Sequence, residues 1–427
     1  MRPASIRRTA SWLLAVVPAL VAAPAPAAPA AAKAEAKGLE WNQWHGAKRD
    51  NISPDTGLLK QWPQGGPPLA WKAPGLGGGF SGVSFAGGKI FTMGDQPDGC
   101  AIVALDAATG KKLWVAPVGK PGGGGGYPGP RGTPATDGTL VWALGQYGDL
   151  VCVQAATGKE VWRHNLDREF GGKMMSGWGY SESPLLDGNL LVCTPGGSRG
   201  TVAALNKATG APVWQSGELK DAASYASLVP VEIGKIRQYL VLTDASVAGI
   251  VATSGQVAWR AARPGKTAVV PDPVYAAGTV LVSSGYGVGC NAFQIAAAGG
   301  QFQAKEAYAN KDLENHHGGM VLVGEHVYSL TNRGELVCME VKTGKVAWRD
   351  RSVGKGAITC ADGHLVVRSE GGPIALVAAT PEGYKENGRF DQPERSGKET
   401  WPHPVVYGGK LYIRDQDVLL CYDVKGK

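Results

Sequence analysis

The chain is short of net charge, of cysteine and of long apolar runs, and each shortage removes a class of protein. Lys and Arg number 43 against 36 Asp and Glu over 427 residues, a formal net charge of +7. Three of the arginines, Arg2, Arg7 and Arg8, stand at the very start; without them the remainder carries +4, too mild a field for a nucleic-acid partner. The apolar run Trp12 to Ala23 is too short to span a bilayer and contains Pro18, so no membrane span is expected after its removal. No Cys-x-x-Cys-His motif is present, which excludes covalent haem attachment through that motif. Of only seven cysteines, Cys152, Cys338 and Cys421 recur at one position of a repeat. Equivalent repeat positions lie much farther apart than the ~7 Å Cα limit for a disulfide, so these read as small buried thiols. Cys100 and Cys290 lie near predicted loops, and their pairing stays open.

The arginines, the short apolar run and the Ala/Pro-rich stretch after it read together as a secretory leader over residues 1–32. Small residues suit cleavage after either Ala30 or Ala32, and no cysteine follows for lipid modification. The expectation is an exported protein, periplasmic or extracellular and monomeric. Residues 33–66 read as an N-terminal extension or linker and residues 67–427 as the folded domain.

What is abundant is repetition. Stretches of alternating apolar residues end in Trp71, Trp114, Trp162, Trp214, Trp259 and Trp348, at intervals of 43, 48, 52, 45 and 89 residues. The last interval is two periods, so one unit carries no Trp. Four of these Trp close the same phrase, seen in Ala104-Leu-Asp-Ala-Ala-Thr-Gly-Lys-Lys-Leu-Trp114 and again from Cys152, Ala204 and Cys338. Short strands and tight turns at a period of 40 to 50 residues mark a β-propeller. In the second unit, strands are expected up to the turn at Asp137-Gly138, over 139–144, over 149–155 and, after a Thr-Gly turn, over 160–164. Eight such first strands can be counted, so the fold class is all-β, an eight-bladed propeller of four-stranded antiparallel blades. The eighth unit stops after its third strand at Val424, whereas Pro68 to Lys72 is a fourth strand without predecessors. Closure by the N-terminal strand satisfies both and removes open sheet edges. The six Trp are expected to dock between blades, with Phe302 the nearest substitute in the fifth; the fifth and seventh blades, the latter without a Thr-Gly turn, are the irregular ones.

The Ala-Leu-Asp-x-x-Thr-Gly-x-x-x-Trp phrase resembles the repeat of the pyrroloquinoline-quinone (PQQ)-like propellers, over about Trp41 to Lys427. That family includes quinoprotein alcohol dehydrogenases and the propeller of the outer-membrane β-barrel assembly machine. Across its full length the chain is also similar to exported propellers of planctomycete-type bacteria, some described as polyvinyl-alcohol dehydrogenases. The resemblance implies, if the chain is an enzyme, a quinoprotein oxidoreductase with PQQ and Ca²⁺, for which Glu182, Asp272 and Arg131 are candidate contacts. It departs from the dehydrogenases in lacking adjacent cysteines, and from the assembly protein in lacking a lipoprotein cysteine.

Strand direction locates a site independently of family. Asp-Gly and Thr-Gly turns fall on one face, uniformly tight; long irregular loops such as 122–131, 170–182 and 310–319 fall on the other. Residues just ahead of each first strand should ring the channel there. Ser81, Arg131, Tyr180, Glu182, Asp272, His316, His317 and His403 are the candidates, with Ser181, Tyr225, Ser227, Lys355 and Trp401 beside them. Both charge signs, imidazoles and aromatic rings suit a small polar ligand. Each residue alone also suits a strand cap. No metal site is expected, because His316 and His317, adjacent in an extended chain, should point oppositely. No catalytic residue is assigned. The expected function is an exported binding or scaffold protein, with the quinoprotein dehydrogenase and an envelope assembly factor as alternatives.

Overall fold

The computed structural model describes Met1 and residues 41–426, so the leader and the start of the expected linker lie outside the described residues. Eight four-stranded antiparallel sheets follow one another along the chain, and the last is completed by Leu69–Ala73. There Trp71 lies opposite Cys421 on Val418–Asp423, the expected closure. In blade 2 the strands are Ala135–Thr136, Leu140–Leu144, Asp149–Gln154 and Glu160–Asn165. Apolar side chains of adjacent blades meet in eight separate cores, one per pair of neighbours, and the core joining blade 8 to blade 1 holds Leu419 and Cys421 against Val103 and Leu105. All seven cysteines are buried and free, including Cys100 and Cys290, which sit in strands of blades 1 and 5. One five-residue α-helix, Leu166–Phe170, lies among the described residues, and no described helix is long and apolar enough to cross a membrane.

The repeated phrase makes one joint. A bulge beside each Trp shifts the fourth strand and sets the ring opposite a small residue such as Ala104, Cys152 or Cys338. From there the ring covers the corresponding turn of the next blade, Thr157-Gly158 under Trp114, Thr209-Gly210 under Trp162 and Ser254-Gly255 under Trp214. The Trp114 indole donates to the Ala155 carbonyl at 3.2 Å, Trp162 to Lys207 at 3.0 Å and Trp214 to Ala252 at 3.1 Å. At the turn itself Gly158 has φ 73°, and a Cβ there would stand 2.7 Å from the Trp114 ring. Glycine is required twice over, for backbone conformation and for the indole face.

Three blades depart from this joint. In blade 5, Tyr308 holds the Trp register opposite Ala292, covers Gly344 and donates to the Val341 carbonyl at 2.7 Å. The substitute is therefore Tyr308 and not Phe302. Phe302 lies on a longer hairpin and packs over Gly234 of blade 4. Trp259 is not docked like the others: its indole turns into its own blade and donates to Gln238 at 2.9 Å. In blade 7 the position is Arg389, opposite Ala375. The interface beyond it is filled from elsewhere, by Trp62, whose ring lies 5.4 Å from Phe390.

Trp62 belongs to the stretch read as a linker, and that reading is corrected over 41–66. These residues are built into the propeller. Ile52–Ser53 adds a parallel strand to blade 7. Residues 41–51 line the inner strand edges of other blades: Phe85 donates to Trp41 O (2.9 Å), Thr136 to Asn42 O (2.8 Å) and Leu186 to the Gln43 side chain (2.9 Å). Arg49, 3% exposed, reaches the carbonyls of Leu228 and Ser183 at 3.1 and 3.0 Å. The innermost edges of a propeller carry unpaired backbone groups, and this segment satisfies them. Its path forces His45, Arg49 and Asn51 to φ values of 61°, 56° and 58°, a left-handed strain of about 1–2 kcal/mol each held by those bonds.

Candidate functional site

Because residues 41–51 cross the channel, its upper mouth is a cavity with a floor. The cavity measures about 300 Å³. Trp44 and His45 form part of it from the N-terminal segment; Phe80, Tyr127, Arg131, Trp178, Tyr286 and Trp401 come from the loops.

Of the eight candidates, Arg131, Asp272, His316, His317 and His403 line this one cavity, as do Ser181, Tyr225, Ser227 and Trp401. Ser81, Tyr180 and Glu182 do not. Ser81 is fully buried and its hydroxyl accepts from Met93 N–H at 3.1 Å. Tyr180 donates to the Pro195 carbonyl at 2.9 Å. Glu182, 2% exposed, takes the Thr194 N–H inside the wall. These three cap backbone. The same capping runs as a spiral between blades: Gly82 N–H to Thr133 Oγ1, Thr133 to Ser183 Oγ, Ser183 to Ser227 Oγ, and Ser227 to Asp272 Oδ1, at 2.6–3.1 Å. Strand-entry polarity therefore has two uses: Ser81, Tyr180 and Glu182 only cap backbone, whereas Ser227 and Asp272 cap backbone and also line the cavity.

At the floor, hydrogen-bond partners assign the protons. His403 Nε2 lies 2.8 Å from the His317 carbonyl, an acceptor, so it carries hydrogen. Burial, then the nearby His45 charge, holds His403 well below the usual imidazole range, hence neutral, with Nδ1 accepting. His45 Nε2 at 3.0 Å must then donate to it, while His45 Nδ1 faces Asp272 Oδ2 at 3.2 Å. Asp272 also accepts from Trp44 Nε1 at 2.7 Å and Ser227 N–H at 2.6 Å, so each of its oxygens already holds a partner.

In the wall, His317 Nε2 meets Glu370 Oε1 at 2.7 Å, and that oxygen also takes Trp401 Nε1 at 2.9 Å. Burial raises the Glu370 pKa, yet the His317 bond and the Lys355 charge overcome it and bring it to about 2. His317 is pushed down by burial against the opposing pull of Glu370, and His316 falls to about 3 through burial and the neighbouring His317 and Lys355 charges. Both rings face the cavity with centroids 5.0 Å apart. The expected opposition fails because residues 311–319 form a loop, where strand alternation does not apply. Arg131 donates to the Trp178 and Tyr127 carbonyls at 2.9 and 2.8 Å and lies 5.7 Å above the Phe80 ring. It forms an ion pair with no carboxylate among the described residues.

A calcium-held quinone does not fit this donor set. Asp272 is the carboxylate lining the cavity and already holds Trp44 Nε1 and the Ser227 N–H, with His45 Nδ1 at 3.2 Å, and Glu182 is inside the wall. Among the described residues no three His, Cys, Asp or Glu are grouped to hold a metal. What the arrangement offers is aromatic faces, a guanidinium without a carboxylate partner among the described residues, and bare imidazole nitrogens.

Sequence reasoning missed Trp44, His45, Arg49 and Glu370. A stretch reading Trp41-Asn-Gln-Trp-His45, with Trp62 after it, is too aromatic for a linker, and that was the available signal.

The fold and mouth define a class, an eight-bladed propeller whose channel is closed by its own N-terminal segment. The family model described as outer membrane protein assembly factor BamB, a PQQ-like repeat model, matches residues 98–349 and 294–421. These cover more than half of the chain, which belongs to that PQQ-like propeller family. Among solved structures, BamB from Moraxella catarrhalis is similar at TM-score 0.59 and 14% identity, covering 81% of this chain and 95% of that one. Quinohemoprotein alcohol dehydrogenase from Comamonas testosteroni is similar at TM-score 0.64 and 12% identity, covering 91% and 81%. The computationally designed Ika8 protein matches at TM-score 0.59 and 12% identity, covering 84% and 100%. At such identities the likeness shows the fold. No curated protein matches.

Proposed function

We propose that this is an exported binding protein that holds a small ligand, part aromatic-facing and part polar, in the plugged mouth of the propeller. The observation that carries the reading is convergence. Arg131, Asp272, His317 and His403 belong to four different blades, and Trp44 and His45 to a fifth, distant part of the chain, yet all line one cavity. Asp272 also caps the Ser227 N–H, whereas the Arg131 and His317 side chains bond no strand backbone. The already partnered carboxylate argues against the quinoprotein dehydrogenase; the family likeness keeps an envelope assembly role as the rival, acting through the outer loops.

A thermal-shift panel of sugars, sugar acids, aromatic acids and PQQ with Ca²⁺ tests it, run on the mature protein and on Arg131→Ala. A compound that raises the melting temperature of the parent and not of the variant supports the reading. Sub-micromolar, calcium-dependent, one-to-one binding of PQQ overturns it in favour of the dehydrogenase. Capture of envelope proteins with no response to any small compound overturns it in favour of the scaffold.

A further inference from the structure

The cavity does not end at its rim. A second chamber of about 490 Å³ opens beside it, and Tyr127, Tyr286, His316 and Trp401 line both. The outer chamber adds Lys355, Arg395 and Lys398 against Glu370 and Glu399. Glu370 is already tied to His317, Trp401 and Lys355, so the free balance there is positive.

The unused hydrogen-bonding capacity inside states what a ligand must bring. His317 is 8% exposed, and Glu370 takes its Nε2 hydrogen, so its Nδ1 is a bare acceptor; that nitrogen has no protein partner. A buried acceptor left unmatched is destabilising, and a ligand hydroxyl supplies the missing donor. His316 Nδ1 is likewise unpartnered, its Nε2 lying 3.1 Å from the Tyr286 hydroxyl. Arg131, without an ion-pair partner, calls for an anion. Broad faces come from Trp401, stacked on Phe80 at 4.5 Å, and Trp44, stacked on His45 at 3.9 Å. No Leu, Ile or Met lines either chamber, which disfavours an acyl chain. An acidic peptide would be read through its backbone by an open strand edge, and residues 41–53 already cover inner edges here.

Resting on the reading of the mouth as a ligand site, we infer that its ligand is the end of an acidic oligosaccharide, a uronate-bearing chain. The terminal ring lies among the aromatic faces, with its carboxylate toward Arg131 and a hydroxyl donating to His317 Nδ1. The following residues occupy the outer chamber beside Lys355, Arg395 and Lys398.

Calorimetry on the mature protein with galacturonate, trigalacturonate, maltotriose and triglutamate tests this. The expected result is that trigalacturonate binds at least tenfold tighter than galacturonate and that maltotriose and triglutamate are much weaker, with the preference shrinking as salt rises. Arg131→Ala should weaken both uronates tenfold or more. The exposed Lys398→Glu should cut trimer affinity about tenfold and monomer affinity less than twofold, with the melting temperature showing that each variant folds. Equal affinity for monomer and trimer overturns the extended-chain inference while leaving the ligand-site reading standing. So does tighter binding of maltotriose, triglutamate or an aromatic acid that Arg131→Ala abolishes. If no compound of any class binds, the inference falls together with the reading beneath it.

Discussion

The turns at the tight face of the propeller and the loops at its mouth are made by the same eight repeats, and they differ in what recurs. At the turns a single joint is reused: an indole over a positive-φ glycine, bonded to the next blade's turn, at Trp114, Trp162 and Trp214, with Tyr308 doing the same by another ring. At the mouth nothing recurs beyond the hydroxyl spiral of Thr133, Ser183 and Ser227, which ends on Asp272. Arg131, His317, His403 and Trp401 have no counterparts in the other blades. Repeated chemistry holds the ring together, and unrepeated chemistry is what a ligand meets. The N-terminal segment links the two, since it seals the inner edges and supplies the floor.

The sharpest way to break this division is to remove the segment. Deleting residues 41–53 should cost more than any single substitution, lowering the melting temperature by on the order of 10 °C or abolishing cooperative melting. An unchanged melt would make the segment an accessory rather than part of the ring. Next in size, Trp114→Ala should destabilise by roughly 3–5 kcal/mol in urea titrations. Arg389→Ala, at the same repeat position but joined by a half-exposed Glu386 pair, should cost about 1 kcal/mol or less. Equal losses would mean that the indole joint is not what the repeat is built around.

Glu182 sharpens the comparison by pH. Burial, opposed by the Thr194 bond and the Arg49 charge, pushes its pKa from 4.5 to about 7. A carboxyl whose pKa is higher folded than unfolded binds its proton more tightly in the native state, so its contribution to stability falls as pH rises from about 4.5 to about 7. Glu182→Gln should therefore gain stability at pH 8, by no more than about 3 kcal/mol, and little at pH 4, read from paired urea titrations. A gain independent of pH would contradict the assignment. Smaller still, Gly158→Ala and Gly188→Ala both place a side chain at positive φ, 73° and 59°, but only the first meets a ring. The first should cost more by about 1–2 kcal/mol, the share due to the Trp114 contact.

These regions were unequally legible in the sequence. Periodicity of 40 to 50 residues, with Thr-Gly and Asp-Gly turns, gave blade number, strand order and the closure through Trp71, because local turn chemistry and burial act on consecutive residues. It gave the mouth only in part. Arg131 and His317 face the cavity whereas Ser81 and Glu182 turn into the wall. All four precede first strands, and which way each turns depends on loops whose paths no repeat specifies. Trp44, His45 and Arg49 were hidden for a stronger reason: the hydrogen bonds that fix them in the ring reach residues 134 to 358 positions away, and no period connects them.

The most direct measurement is a crystal structure of the mature protein with whichever sugar, sugar acid or aromatic acid most raises its melting temperature. The account predicts density for that compound between Trp44 and Trp401, within hydrogen-bonding reach of Arg131 and of His317 Nδ1. Density on the tight-turn face or along the outer strands, with the mouth unchanged, would contradict it.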